Sequence, residues 1–200
     1  MPARFNFPLF LTWLRIVAIP LFVAVLYLPE SWITERTANI TSMWIFIAAA
    51  VTDWMDGWLA RRWNQTTSFG AFLDPVADKL MVAAALIVLT EKGIVDPFAS
   101  LIIIGREITI SALREWMAQI GQSKSVAVNI LGKVKTVGQL IAIPFLLFNG
   151  VLFGLFHTVV VGRALIWVAA IITLLSMGVY LKAAMASPPP EHHKRRSTDK

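Results

Sequence analysis

Cysteine is absent from the 200-residue chain, and histidine and tyrosine are scarce, with three and two copies. Without a thiol there is no disulfide and no thiolate metal site, although the redox compartment stays open. His157, His192 and His193 have no partner at metal-ligand spacing, so imidazole is no better a candidate ligand. Charge is also scarce: charged residues are 15 % of the chain against 57 % hydrophobic, too apolar for an ordinary soluble domain. No run alternates apolar and polar residues with a period of two, which excludes outer-membrane strands. No internal repeat is visible, which argues against a transporter built from inverted halves. The first apolar run has no small-residue cleavage site and contains Arg15, so it is expected to be a retained span and not a removed signal.

What is present is six apolar stretches, approximately 7–28, 40–61, 72–89, 98–117, 132–148 and 155–184, separated by turn-rich segments. Their unbroken apolarity and abundant Ala, Leu and Ile predict helices, and hence an all-α integral membrane protein of six transmembrane helices around a cytoplasm-facing polar cavity. Arg4, Arg61, Arg62, Lys124, Lys133, Lys135, Lys182, Lys194, Arg195 and Arg196 fall on one side of such a bundle, and little beyond Arg36 and Lys92 on the other. The positive-inside rule then places both termini in the cytoplasm and accounts for the net charge of +6 without a nucleic-acid partner. Residues 1–186 are expected to form the membrane domain and 187–200 a disordered basic tail. The eight Trp lie mostly toward predicted helix ends, as an interfacial belt would have them.

Four aspartates break this apolarity in one pattern, Asp53-x2-Asp56-Gly57-x2-Ala60-Arg61-x8-Gly70-x3-Asp74-x3-Asp78. An Asp deep in a bilayer costs about 2.5–3.5 kcal/mol, so a cluster needs a compensating partner. Asp53 and Asp56 are three apart and share a helix face with Gly57 and Ala60; Asp74 and Asp78, four apart, share one on the next helix. A short connection makes these helices antiparallel neighbours, bringing four carboxylates around one volume. Oxygen-only ligands select Mg²⁺, Mn²⁺ or Ca²⁺, and four carboxylates can hold two ions, an arrangement suited to displacement at phosphorus. The small residues leave room for a ligand or a second backbone.

The pattern resembles the signature of the CDP-alcohol phosphatidyltransferase family at every fixed position. The resemblance implies a reaction in which an alcohol hydroxyl attacks the lipid-bearing phosphorus of a CDP-linked donor and CMP leaves. By position, Asp53, Asp56, Asp74 and Asp78 would hold Mg²⁺ or Mn²⁺, two ions per site, with Asp78 the general base. Asp53, Gly57, Ala60, Arg61 and Gly70, with Thr12, would line the donor, CDP-diacylglycerol. The family also implies a homodimer among membrane lipids in the bacterial inner membrane.

The acceptor must be read elsewhere. Glu107, Ser111 and Arg114 lie within about 60° of one another on a helical wheel, with Arg106 near that sector, and Lys133 and Lys135 open the fifth helix. Several cations at one cavity suit an acceptor carrying its own phosphate. Arg106, Arg114, Lys135 and Arg15 are the expected phosphate ligands. Resemblance over residues 6–15, 51–81, 106–117 and 125–139 points to the branch of the family whose acceptor is glycerol 3-phosphate. Inositol phosphate, serine and phosphatidylglycerol are the alternatives within the family. A divalent-cation channel, which would spread its acids along a pore, is the alternative outside it.

Overall fold

The computed structural model describes residues 7–63, 68–119 and 130–185. The expected tail at 187–200 lies outside the described residues, as do the side chains of Asp56, Gly57, Ala60, Arg61 and Lys133. Among the described residues there are six helices: α1 (Phe7–Leu26), α2 (Glu35–Trp63), α3 (Ser68–Glu91), α4 (Pro97–Gln119), α5 (Ile130–Phe148) and α6 (Thr158–Met185). A two-residue hairpin joins the last two, β1 (Val151–Leu152) antiparallel to β2 (Phe156–His157), with Val151 opposite His157. Its turn takes Phe153 and Gly154 to φ of 52° and 70°, and Asn149 leaves α5 at φ 43°, a region Asn tolerates better than most residues.

The helices alternate in direction, and their contacts sort into two ends. At one end the Tyr27 hydroxyl donates to Glu91 Oε2 at 3.0 Å, joining the C-termini of α1 and α3. Arg36 sits over the Phe148 ring at 5.9 Å, joining the start of α2 to the end of α5. Arg163 near the start of α6 donates to the carbonyls of Ile94 and Gly93 at 2.6 and 3.0 Å, holding the α3–α4 turn. The ion pairs Arg15–Asp53 and Lys135–Glu107 lie toward the opposite end. Between the ends runs an apolar core that includes Phe22, Phe46, Leu86, Leu89, Ile103, Ile143, Leu146 and Ile166.

Helix order in space differs from the expected α2–α3 pairing. Among the described residues α1 packs along both α2 and α3, which touch each other over a smaller stretch; α5 lies against α6 and α2, and α4 against α6. The α5–α6 approach is close because Gly162 has no side chain. A Cβ there would sit 2.6 Å from Leu146 Cγ and 3.2 Å from the Ala142 carbonyl oxygen, inside contact distance. Gly162→Ala is therefore expected to force the helices apart at a cost of about 1–3 kcal/mol. Thermal unfolding in detergent should show a midpoint lower by on the order of 5 °C. An unchanged midpoint would mean that α5 and α6 shift apart freely.

By length and apolarity one helical segment among the described residues, Thr158–Gly178 of α6, is long enough to cross a membrane. Its 21 residues span about 31 Å against a hydrocarbon core of about 30 Å. Phe10–Leu26 and Lys135–Phe148 are shorter apolar stretches. The charged groups of α2, α3 and α4 interrupt their apolar runs, and those groups build the site.

Candidate functional site: braced aspartates and a basic cavity

Thr12 and Arg15, three residues apart on α1, face the two aspartate-bearing helices. Thr12 Oγ1 donates to Asp74 Oδ1 at 2.5 Å, and Arg15 Nη1 pairs with Asp53 Oδ1 at 2.6 Å. Both α1 side chains are buried, whereas the Asp53 side chain is 41 % exposed. α1 is thus the strut that links the carboxylates of α2 and α3. Each bond uses Oδ1 and leaves Oδ2 without a hydrogen bond among the described residues. Gly70 is buried near the start of α3, and Pro75, beside Asp74, removes one N–H rung from that helix.

One helical turn beyond Asp74, Asp78 enters a cavity of about 570 Å³ between α3, α4 and α5. Asp78 and Lys79 from α3, Arg106, Glu107, Ser111 and Arg114 from α4, and Lys135 and Thr136 from α5 line it. Arg106 and Lys135 are almost fully buried, at 6 % and 2 % exposure. Such cations need partners, and Glu107 serves both: its Oε1 takes the Lys135 ammonium and, at 3.3 Å, Arg106 Nη1. Arg106 Nη2 also reaches Ser176 Oγ of α6 at 3.4 Å, and that hydroxyl donates to the Thr173 carbonyl at 2.9 Å. Lys79 Nζ is held on Ser111 Oγ, which donates to the Glu107 carbonyl at 2.7 Å. The wall therefore carries four cations and two carboxylates, a formal excess of two positive charges.

The structure brings Arg106, Arg114 and Lys135 to one wall and Asp78 to the same cavity. Arg15 is placed elsewhere, against Asp53, and Thr12 against Asp74. Asp56, Gly57, Ala60 and Arg61 are in the helical run of α2, their side chains outside the described residues. Sequence reasoning missed Gln139. Its amide nitrogen is buried without a hydrogen-bond partner, and the residue borders a space of about 30 Å³ shared with Asp78, Lys79, Glu107 and Thr136. That is room for about one water. The signal was present as a Gln one turn beyond Lys135, on the same α5 face.

Among the described residues no group of three or more His, Asp or Glu side chains is arranged to hold a metal ion. Asp53, Asp74 and Asp78 nevertheless supply only hard oxygen donors, and Asp53 and Asp74 each keep one oxygen unbonded, chemistry that fits Mg²⁺ or Mn²⁺.

A carboxylate facing several cations in one cavity, one helical turn from a second aspartate, suits phosphoryl transfer, and residues 5–175 match the family described as CDP-alcohol phosphatidyltransferase. The chain belongs to that family. Among its curated relatives is CDP-diacylglycerol--glycerol-3-phosphate 3-phosphatidyltransferase of Escherichia coli (strain K12), 50 % identical over 187 residues that cover 92 % of this chain and 97 % of the relative. The proteins of the same name from Salmonella typhimurium (strain LT2) and Shigella flexneri are also 50 % identical, over 185 and 187 residues. They cover 90 % and 92 % of this chain and 96 % and 97 % of their own lengths.

Proposed function

We propose that this enzyme transfers the phosphatidyl group of CDP-diacylglycerol to sn-glycerol 3-phosphate, releasing CMP and phosphatidylglycerol phosphate. The observation that carries this reading is the charge of the cavity: two excess cations face Asp78, matching a phosphate monoester that carries about −1.5 to −2 at neutral pH. A neutral alcohol would leave those cations uncompensated. Arg106, Arg114 and Lys135 bind the acceptor's phosphate, and the exchange of Glu107 for phosphate oxygens keeps the buried cations paired throughout. The acceptor's primary hydroxyl then lies toward Asp78, whose carboxylate takes its proton. The hydroxyl oxygen forms a bond to the lipid-bearing phosphorus as the bond from that phosphorus to the CMP oxygen breaks. Asp53, Asp56, Asp74 and Asp78 would hold one or two divalent cations, which when bound supply Lewis-acid charge stabilisation. Thr12 and Arg15 act as positioning residues for Asp74 and Asp53, while Gly57, Ala60, Arg61 and Gly70 line the CDP moiety.

The same proposal places the chain in the bacterial inner membrane as a six-span homodimer, with residues 1–186 as the catalytic unit, 187–200 as a basic tail and both termini cytoplasmic. What supports the membrane setting is an inside-out surface. Leu14, Val17, Ile87, Leu101, Ile108 and Leu175 are exposed, while Ser42, Gln139, Thr173 and Ser176 are buried.

The test is CMP release from CDP-diacylglycerol by purified protein in detergent with Mg²⁺ or Mn²⁺, each acceptor alcohol added singly. Release is expected only with glycerol 3-phosphate and divalent cation, and chelation should abolish it. Release with inositol phosphate instead would keep the transferase reading and overturn the acceptor. Silence with every acceptor, from folded protein, would favour the cation-transport alternative.

A further inference from the structure

A second cavity, of about 480 Å³, lies at the opposite end of the bundle from the Arg15–Asp53 pair, between the α3–α4 turn and the start of α6. Its wall includes Asp96, Arg163 and Trp167. Each charge is fixed by backbone. Arg163 donates through Nε and Nη2 to the carbonyls of Ile94 and Gly93, and Asp96 Oδ1 accepts the Phe98 N–H at 2.8 Å. Those bonds leave Arg163 Nη1 and Asp96 Oδ2 available. The two charges form no ion pair with each other, although they line one cavity. The wall is therefore a fixed dipole, one cation and one anion separated by ligand-sized space.

We infer that this cavity binds the headgroup of a zwitterionic phospholipid bearing a primary ammonium, its phosphate on Arg163 and its ammonium on Asp96. The charges decide the ligand class: a purely anionic headgroup would satisfy Arg163 but meet Asp96 as a like charge. Placement favours a lipid over a free phosphate compound. Arg163 lies five residues into α6, about 7–8 Å from its start, at headgroup depth if the helix spans. Trp167 follows at i+4 on the same face, where an indole suits a surface that is wet at one end and apolar at the other. Ile171 and Leu174, both exposed, continue that stripe along α6 as a track for acyl chains. The inference takes its membrane setting from the proposed function and is independent of the chemistry at Asp78.

Native mass spectrometry of the full-length protein in mild detergent tests it. Phosphatidylethanolamine and phosphatidylglycerol of matched acyl chains are added in equal amounts. Wild-type protein should retain phosphatidylethanolamine in about tenfold preference, the factor expected of one charge-assisted hydrogen bond. Asp96→Asn preserves the cap on Phe98 while removing the charge, and should bring the ratio close to one. Soluble phosphoethanolamine at millimolar concentration should not displace the lipid. Equal retention by wild type, a preference that survives Asp96→Asn, or displacement by the soluble headgroup would each overturn the inference. The wild-type comparison needs neither a variant nor turnover, so its result stands whether or not the charged cavity transfers a phosphatidyl group.

Discussion

Asp78→Asn is expected to lower the rate of CMP release by about 10³-fold or more, with KM for glycerol 3-phosphate changed by less than about threefold. Asn keeps the volume of Asp, so the cavity between α3, α4 and α5 should keep its shape, and the unfolding midpoint in detergent should move little. What is lost is a negative charge and a proton acceptor at the one signature aspartate that, among the described residues, lines the basic cavity. Asp53 and Asp74 are tied to Arg15 and Thr12 and are not among the residues that line that cavity, so neither substitutes for it. Loss of a positioned general base alone costs about 10²–10⁴-fold. Raising the divalent cation concentration separates the two roles given to this residue. A rate that recovers with added cation would make Asp78 a metal ligand only; one that stays low at saturation makes it the base. A variant retaining more than a tenth of the wild-type rate would remove Asp78 from the chemistry altogether.

The aspartate signature was legible because residue type and spacing are both local: 53 and 56, and 74 and 78, share faces of their helices by period alone. The α4 sector of Glu107, Ser111 and Arg114 was readable for the same reason, and the structure places all three on the cavity wall. Six helices followed from six apolar runs. What could not be read is which helix lies beside which. The short loop suggested that α2 and α3 meet directly, whereas α1 packs along both and supplies the strut between their carboxylates. No local signal encodes that choice, since packing in apolar surroundings is decided by shape, as at Gly162 against Leu146. Glu107 was readable only as a member of that α4 sector. Its larger duty, holding Lys135 from α5, depends on a contact between residues 28 apart. The hairpin of Val151–Leu152 with Phe156–His157 escaped because two-residue strands carry no period.

Arg106→Gln should raise KM for glycerol 3-phosphate by about 30- to 100-fold while KM for CDP-diacylglycerol stays within about twofold. The asymmetry follows from where the guanidinium is held. Arg106 is buried on α4, braced by Glu107 at 3.3 Å and by Ser176 of α6 at 3.4 Å, on the wall of the cavity that also holds Arg114 and Lys135. A phosphate arriving there gains hydrogen bonds from a donor whose side-chain entropy is already spent, and bonds to charged groups contribute about 1.5–3 kcal/mol each. Removing the guanidinium still leaves Glu107 paired with Lys135, so no buried carboxylate is stranded and the fold should hold. Arg106→Lys restores the charge but not the planar fork, and should recover only part of the loss. Steady-state kinetics with each substrate varied in turn gives both constants. Equal rises in both KM values would place Arg106 at the donor, and a fall in kcat with unchanged KM would assign it to the transition state instead of the acceptor's phosphate.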